Sequence, residues 1–401
     1  MLPSPEMPRF PSISAPAAAM PASIFARLVE KLARHDGETY PFHLGDTYLS
    51  PPVGARLESL GTPEVAGDAR NYRYGAPAGD PELIAAVRAK LAARNGLEVG
   101  PGGVQITCGA THAFSCAARA LFEPGDEVLL LTPCWPLFRG HVLAAGACPV
   151  EAPFSSRLLA EPGCNPRALL APFIGPKTAA IYFVTPNNPD GKVLGRRELD
   201  AIADVARAHD LWVLADEVYE DFCFDGRTHL SIATLPGMAE RTLTVHSFSK
   251  SYGQAGFRIG TLAGPEAVVT PIRKLANHSV YNVARALQGA ALAALQGGAG
   301  FLAEARVTYE EARDLTVARL ELPCRVPEGG SYVFVDLAPR LRPGETPLAL
   351  LERLAEAGIL LAPGEAFGAA SASYARLCYT ALPRARLEAG LARMAAVLGS
   401  G

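Results

Sequence analysis

Charge of one sign is what this sequence has least of. Its 37 lysines and arginines stand against 40 aspartates and glutamates, a formal net charge of −3 over 401 residues. A cationic surface for nucleic acid or anionic lipid is therefore not expected. Basic clusters such as Gly195-Arg196-Arg197 have acids close by and read as solvated helix faces. Long apolar runs are missing too, and none reaches the length of a membrane span. The eight cysteines include no C-x-x-C pair, and several sit in apolar stretches such as Phe222-Cys223-Phe224. That argues against a disulfide framework and for reduced, mostly buried thiols. The first residues lack the basic start and continuous apolar stretch of a signal peptide, so a soluble, cytoplasmic protein is expected.

Proline, by contrast, is concentrated at the start. Six prolines fall among the first 21 residues, which excludes a regular helix there and leaves a disordered or surface-laid arm. A helix is expected after Pro21, carried by Ile24, Leu28 and Leu32. From about residue 80 the pattern alternates. Pro81 to Asn95 reads as a helix with proline in its first turn and Gly96 beyond its end. Val104–Thr107 reads as a strand, and His112 to Phe122 as a helix. Strands follow at Glu127–Leu131, Ala179–Val184, Leu211–Ala215 and Thr242–Val245, with a helix over Glu198–His209.

Short apolar strands separated by helices imply an α/β fold with a mostly parallel sheet covered on both faces. Ligands of such sheets bind beyond the carboxyl ends of the strands. After about residue 290 the pattern shifts to a long helix, Gly300 to Leu320, and an extended segment, Gly330 to Leu337. The expected division is an arm (1–22), a large α/β domain (50–290) and a smaller α+β domain built from 23–49 and 291–401.

Four clusters follow expected strands. Cys108-Gly109-Ala110-Thr111-His112 opens a helix after a glycine turn, which exposes N–H groups to an anion. Thr185-Pro186-Asn187-Asn188-Pro189-Asp190-Gly191 is a rigid turn that can aim its amides at a ligand. Ala215-Asp216-Glu217-Val218-Tyr219 puts a carboxylate at a strand end, where it needs a cation unless it merely caps the next segment. Ser247-Phe248-Ser249-Lys250, followed by Arg258, gathers two hydroxyls, an amine and a guanidinium. Each has an ordinary reading as a turn, a cap or a surface loop. A pocketed lysine can instead act as a nucleophile.

Taken together, N-P-x-G, then D-E-x-Y, then S-x-S-K with arginine eight residues on, resemble the class I/II aminotransferases of pyridoxal-phosphate fold type I. Tyr72 to Leu83 and the Pro363-Gly364 and Ala375-Arg376-Leu377 segments extend the resemblance over nearly the whole chain. It implies the aspartate aminotransferase-like fold, pyridoxal 5′-phosphate as cofactor, and ping-pong amino-group transfer from an L-amino acid to a 2-oxo acid. It further implies that Lys250 carries the cofactor as a Schiff base and that Asp216 pairs with the ring nitrogen. Tyr219 and Asn188 would bond the ring hydroxyl O3′, and Trp135 would stack on the ring. Gly109, Ala110, Thr111, Ser247 and Arg258 would hold the phosphate. Arg376 would clamp the substrate carboxylate, with Asn188 and Gly45 beside it. Tyr74 would reach the phosphate of a neighbouring subunit, which implies a homodimer with shared sites.

Three departures stand out. Asp190 replaces the family's threonine in N-P-T-G, and is expected either to face solvent or to repel acidic side chains. Gly45-Asp46-Thr47-Tyr48-Leu49 replaces G-x-P-x-F, and His112 stands where small or amide residues are usual. No second arginine for a dicarboxylate can be assigned, Arg285 included.

Other pyridoxal reactions on the same fold remain open, among them β-elimination, decarboxylation, cyclisation and oxidation. Ser247 to Lys250 also matches S-x-x-K of serine acyl-enzymes. The expected S-D-N is absent, and Lys177-Thr178-Ala179 only approximates K-T-G and precedes the motif. A non-catalytic binding module fits poorly with the presence of Lys250, Asp216 and Arg376.

Overall fold

Two sheets organise the chain, which a computed structural model describes over residues 13–20 and 25–399. The larger has seven strands: β1 (Val104–Thr107), β2 (Glu127–Thr132), β3 (Cys148–Pro153), β4 (Thr178–Val184), β5 (Trp212–Asp216), β6 (Thr242–Ser247) and β7 (Gly260–Ala263). Their order is β1-β7-β6-β5-β4-β2-β3, all parallel except β7, which runs antiparallel to both β6 and β1. The smaller sheet is antiparallel, β8 (Tyr332–Asp336), β10 (Tyr374–Cys378) and β9 (Ala362–Pro363) in that order.

The central strands are buried along all but their first one or two residues, as continuous apolar runs must be when helices cover both faces. One face packs Phe114, Phe138 and Tyr182, the other Ile181, Ile202 and Val213. Helix Arg196–Ala208 begins two residues before the expected start because the Glu198 carboxylate reaches back to the Gly195 N–H at 3.0 Å. The long expected helix is Ala299–Arg319.

β3 and β7 go beyond the expected strands. β3 carries two prolines, which only an edge position tolerates, and β3 is the sheet's edge. β7 is four small or short residues, Gly-Thr-Leu-Ala, without the bulk that marks a strand.

The arm needs a correction. Ala15–Ala18 forms one helical turn, with Pro16 in the first turn where its missing N–H is harmless and the Ser14 hydroxyl accepting from the Ala17 N–H. Dense proline excludes a long helix here, not a single turn. A Cβ at Gly140 would come 2.9 Å from Met20 Cε, so the arm lies on helix Leu137–Ala144. Residues 1–12 and 21–24, the rest of the expected arm with Ile24, fall outside the described residues; the next helix is Ala26–Leu32. Helix Pro81–Lys90 passes into a π-helical turn, Leu91–Asn95, which closes on Gly96 at φ +67°. All eight thiols are free; four are buried, three half-buried, and Cys148 is exposed, so burial is less general than expected.

Parallel register decides where the site can be. Val184 pairs with Asp216, and Asp216 with Val245, so the carboxyl ends of β4, β5 and β6 share one edge. The adjacent end of β7 comes close to the turn after β1. A Cβ built on Gly260 would lie 2.7 Å from the Gly109 carbonyl carbon and 2.8 Å from the Ala110 nitrogen. Gly260→Ala should therefore push that turn away and cost about 1–3 kcal/mol, by the usual penalty for overpacking. Chemical denaturation of the two proteins checks this, and equal midpoints would contradict it.

Candidate active site

At the shared strand edge the chain leaves a cleft of about 150 Å³ lined by Ala110, Thr111, Trp135, Asn188, Asp216, Tyr219, Ser247, Lys250 and Arg258. One end is built for an anion. Gly109 opens the helix Gly109–Leu121 in the left-handed region at φ +73°, and a Cβ there would lie 2.5 Å from Arg258 Nη2. Only glycine lets the guanidinium come so close. The first-turn N–H groups of this helix have no partner within the helix, and its dipole favours negative charge. Ser247 caps the next short helix by accepting from the Ser249 N–H at 3.1 Å, which holds its hydroxyl at the cleft. Arg258 is itself left-handed, at φ +56°, and donates to the Ala255 carbonyl at 2.9 Å.

The other end is a buried acid. Asp216, the last residue of β5, is 4% exposed. Its carboxyl accepts from the Tyr182 hydroxyl at 3.1 Å and the Val218 N–H at 3.3 Å. Burial outweighs these bonds and pushes its pKa up to about 7. A buried carboxyl so placed favours a cationic partner. Between the two ends Trp135 forms a wall, backed by Phe114 with ring centroids 6.0 Å apart. The Tyr219 hydroxyl lies 2.7 Å from that of Tyr332, and burial raises its pKa well above the usual range. Lys250 donates to the Gly45 carbonyl.

Arg376 joins this cleft from the small sheet. It donates to Asn188 Oδ1 at 2.9 Å and to the His43 carbonyl at 2.7 Å. Its guanidinium lies 4.2 Å from the Tyr332 ring centroid and 5.0 Å from that of Phe367. The Nε–H is buried and has no partner among the described residues, so a donor remains for an incoming anion. Burial, and then Arg376, press the pKa of the neighbouring His43 down to about 4, so it adds no positive charge.

The structure thus gathers eleven of the expected residues: Gly109, Ala110, Thr111, Trp135, Asn188, Asp216, Tyr219, Ser247, Lys250 and Arg258 at the cleft, with Arg376 on Asn188. Gly45 joins through Lys250. Tyr74 does not; it is 81% exposed and packs on Tyr281. Asp190 does not simply face solvent: it is half-buried, its carboxylate tied to its own turn and to Ser155. His112 accepts from the Cys108 N–H and meets Ser279, bracing the helix start. Tyr182, Tyr332 and His43 had no sequence signal beyond their place in apolar strands or a loop. Gly260 was hidden the same way.

Behind Asp216 lies a second buried cluster. Glu217 accepts from Ser231 and pairs with His229, while Glu220 pairs with His246 and Lys90. Burial opposes the ionisation of Glu220, but His246 and Lys90 outweigh it and hold its pKa well below the usual range. Glu217, Glu220 and His229 offer atoms within 4.8 Å of one another, yet the Lys90 ammonium already supplies the cation. The cluster reads as a structural brace.

The raised pKa of Asp216 fixes a sign. Below about pH 4 the group is neutral in folded and unfolded chains alike. From there to about 7 the unfolded chain releases a proton that the folded one keeps, so stability falls as pH rises. Raising the carboxyl pKa from about 4 to about 7 costs on the order of 4 kcal/mol once the fall is complete. In cofactor-free protein, Asp216→Asn should therefore gain stability over wild type between about pH 5 and pH 8, by roughly 2–4 kcal/mol. Urea denaturation at both pH values checks this, and a pH-independent difference would contradict it.

Comparison with known proteins agrees with this geometry. The family model described as aminotransferase class I and II matches residues 56–394. An aspartate aminotransferase of Pyrococcus abyssi is 36% identical, covering 81% of this chain and 84% of its own length. An aromatic-amino-acid aminotransferase of Thermococcus litoralis is also 36% identical, over 79% and 82%. A solved structure of Thermus thermophilus aspartate aminotransferase, a double mutant, superposes with a TM-score of 0.88 at 30% identity, over 97% of this chain and all of that one. The serine acyl-enzyme and binding-module readings fall away, and the chain belongs to the class I and II aminotransferases.

Proposed function

We propose that this aminotransferase uses pyridoxal phosphate, held by Lys250, to move the α-amino group of an L-amino acid to a 2-oxo acid, and that it works as a homodimer. The convergence of an anion-binding turn, an aromatic wall, a buried carboxyl and a lysine in one cleft carries this reading. The two ends fit a group with an anion at one end and a protonated ring nitrogen at the other. A site for an uncharged cofactor would not need Asp216 where it is.

When bound, pyridoxal phosphate supplies an electron sink for the pair left at the substrate Cα. The residues do the rest. The N–H groups of Ala110 and Thr111, with Ser247 and Arg258, bind the phosphate. Asp216 holds a proton at the ring nitrogen, and Trp135 covers one ring face. Asn188 and Tyr219 orient the ring hydroxyl O3′. Lys250 attaches the cofactor and moves a proton at the substrate Cα. Arg376 binds the α-carboxylate, its spare Nε–H joining a two-point contact that fixes which Cα bond faces the ring.

An exposed aromatic patch supports the dimer. Tyr72, Tyr74 and Tyr281 are 76%, 81% and 50% exposed, and Val53 and Leu57 are exposed on segments that, like that of Tyr72, pack on helix Arg285–Gly297. Such a patch is typical of an interface. We assign residues 23–49 and 291–401 to a smaller domain set against 50–290, and we locate the protein in the cytoplasm on its composition.

Lys250→Ala should lower turnover by at least about 10⁴-fold, and near-normal transamination by that variant would sink the mechanism. Arg376→Ala should raise the KM for amino donors roughly 10–100-fold, with Arg376→Lys restoring only part, since a point charge lacks the planar fork. Steady-state kinetics checks both, and an unchanged KM for every donor would remove Arg376 from the carboxylate site.

A further inference from the structure

The turn Asn187–Lys192 has two faces. On one, Asn188 meets Arg376 in the cleft. On the other stands Asp190, where the family pattern has a threonine. Its carboxylate takes three hydrogen bonds: from the Ser155 hydroxyl at 2.5 Å, the Asn187 side-chain amide at 2.8 Å and the Lys192 N–H at 3.0 Å. That Asn187 amide also donates to the Pro133 carbonyl at 2.9 Å, two residues before Trp135. Asp190 thereby ties three pieces of backbone to one another: the start of helix Phe154–Ala160, the Pro133–Trp135 segment and the Asn188 turn.

The turn leaves little room to adjust otherwise. Asn187 N–H donates to the Lys192 carbonyl at 2.8 Å and Gly191 N–H to the Asn187 carbonyl at 3.0 Å. Gly191, at φ +69°, packs against Pro327 and Gly329. A neutral hydroxyl with one donor and two lone pairs cannot make the same three acceptor contacts with comparable strength; an ionised carboxylate can. Burial raises the Asp190 pKa above its usual value, and the bonds from Ser155, Lys192 and Asn187 pull it only part of the way back.

We propose that Asp190 is a positioning residue for the reaction. It acts through Asn187 to hold the Asn188 amide where it meets both Arg376 and the cofactor hydroxyl, and through Pro133 to hold the Trp135 wall. It touches neither substrate nor cofactor. This rests on the functional reading above, in which Asn188 bonds O3′ and Arg376 binds the substrate carboxylate.

The test compares wild type, Asp190→Ala, Asp190→Asn and Ser155→Ala, each loaded with pyridoxal phosphate. Two readouts are taken: kcat and KM for one amino donor, and the pH midpoint of the bound cofactor's visible absorbance. Asp190→Ala should raise KM about tenfold with a smaller change in kcat, since the loss falls on positioning for binding. It should also move the absorbance midpoint, because the Asn188 bond to O3′ loosens. Asp190→Asn, which keeps an acceptor for Asn187 and Lys192, should recover most of both, and Ser155→Ala should show a smaller change in the same direction. A purely structural role would lower thermal stability while leaving KM and midpoint at the wild-type values, and that result overturns the proposal. If Asp190→Ala does not fold, wild-type KM and midpoint in Ser155→Ala overturn it equally. Wild-type protein without a cofactor band would instead defeat the functional reading, so the two failures are distinct.

Discussion

The arrangement of this protein turns on one buried carboxyl. Asp216 ends β5 inside the sheet, 4% exposed, with a tyrosine hydroxyl and one backbone N–H as its hydrogen-bond partners among the described residues. Such a group is poorly stabilised as an anion, and its pKa of about 7 expresses that. A cation brought to it would offset the lost hydration. The neighbouring features follow from the same geometry. Parallel pairing brings the ends of β4 and β6 to the same edge, and with them the Asn188 turn and the Ser247–Lys250 segment.

The second organising contact links the two sheets. Arg376 on β10 reaches Asn188 after β4, and its ring neighbours Tyr332 and Phe367 come from the small-sheet side. Tyr332 in turn meets Tyr219 after β5. Arg376, proposed above to bind the substrate carboxylate, is therefore positioned by aromatic packing and hydrogen-bonded to Asn188, proposed to orient the cofactor. Apolar packing sets the distance and polar contacts set the orientation.

Much of this was legible in the sequence, for a physical reason. β4, β5 and β6 are apolar runs bounded by turn residues, and chemistry-bearing side chains directly follow each. That pattern placed the clusters at strand ends, and the resemblance to the aminotransferases implied that Lys250, Asp216, Asn188 and Arg258 share one site. What escaped has equally definite causes. Tyr182 lies within an apolar strand, where an aromatic reads as core, and only the fold turns its hydroxyl toward Asp216. β7 is too small and glycine-rich to look like a strand, yet Gly260 is what lets it approach the Gly109 turn. Asp190 was visible as a departure, but its partner Ser155 lies 35 residues away, so no local pattern could say where the carboxylate points. The one-turn helix at Ala15–Ala18 escaped because proline density argues against helices only beyond their first turn.

The central claim is that this cleft binds pyridoxal phosphate through Lys250 and uses it to exchange amino groups. The most direct measurement is the absorbance spectrum of the purified protein with pyridoxal phosphate, before and after a panel of amino acids and then 2-oxo acids. The account predicts a visible band that Lys250→Ala lacks, that a good amino donor converts to a near-ultraviolet band, and that a 2-oxo acid restores. No band, or a band equally present in Lys250→Ala, would contradict cofactor binding by this lysine. A band that amino donors never convert, or turnover that releases free ammonia and leaves no near-ultraviolet band for a 2-oxo acid to reverse, would contradict amino-group transfer as the reaction.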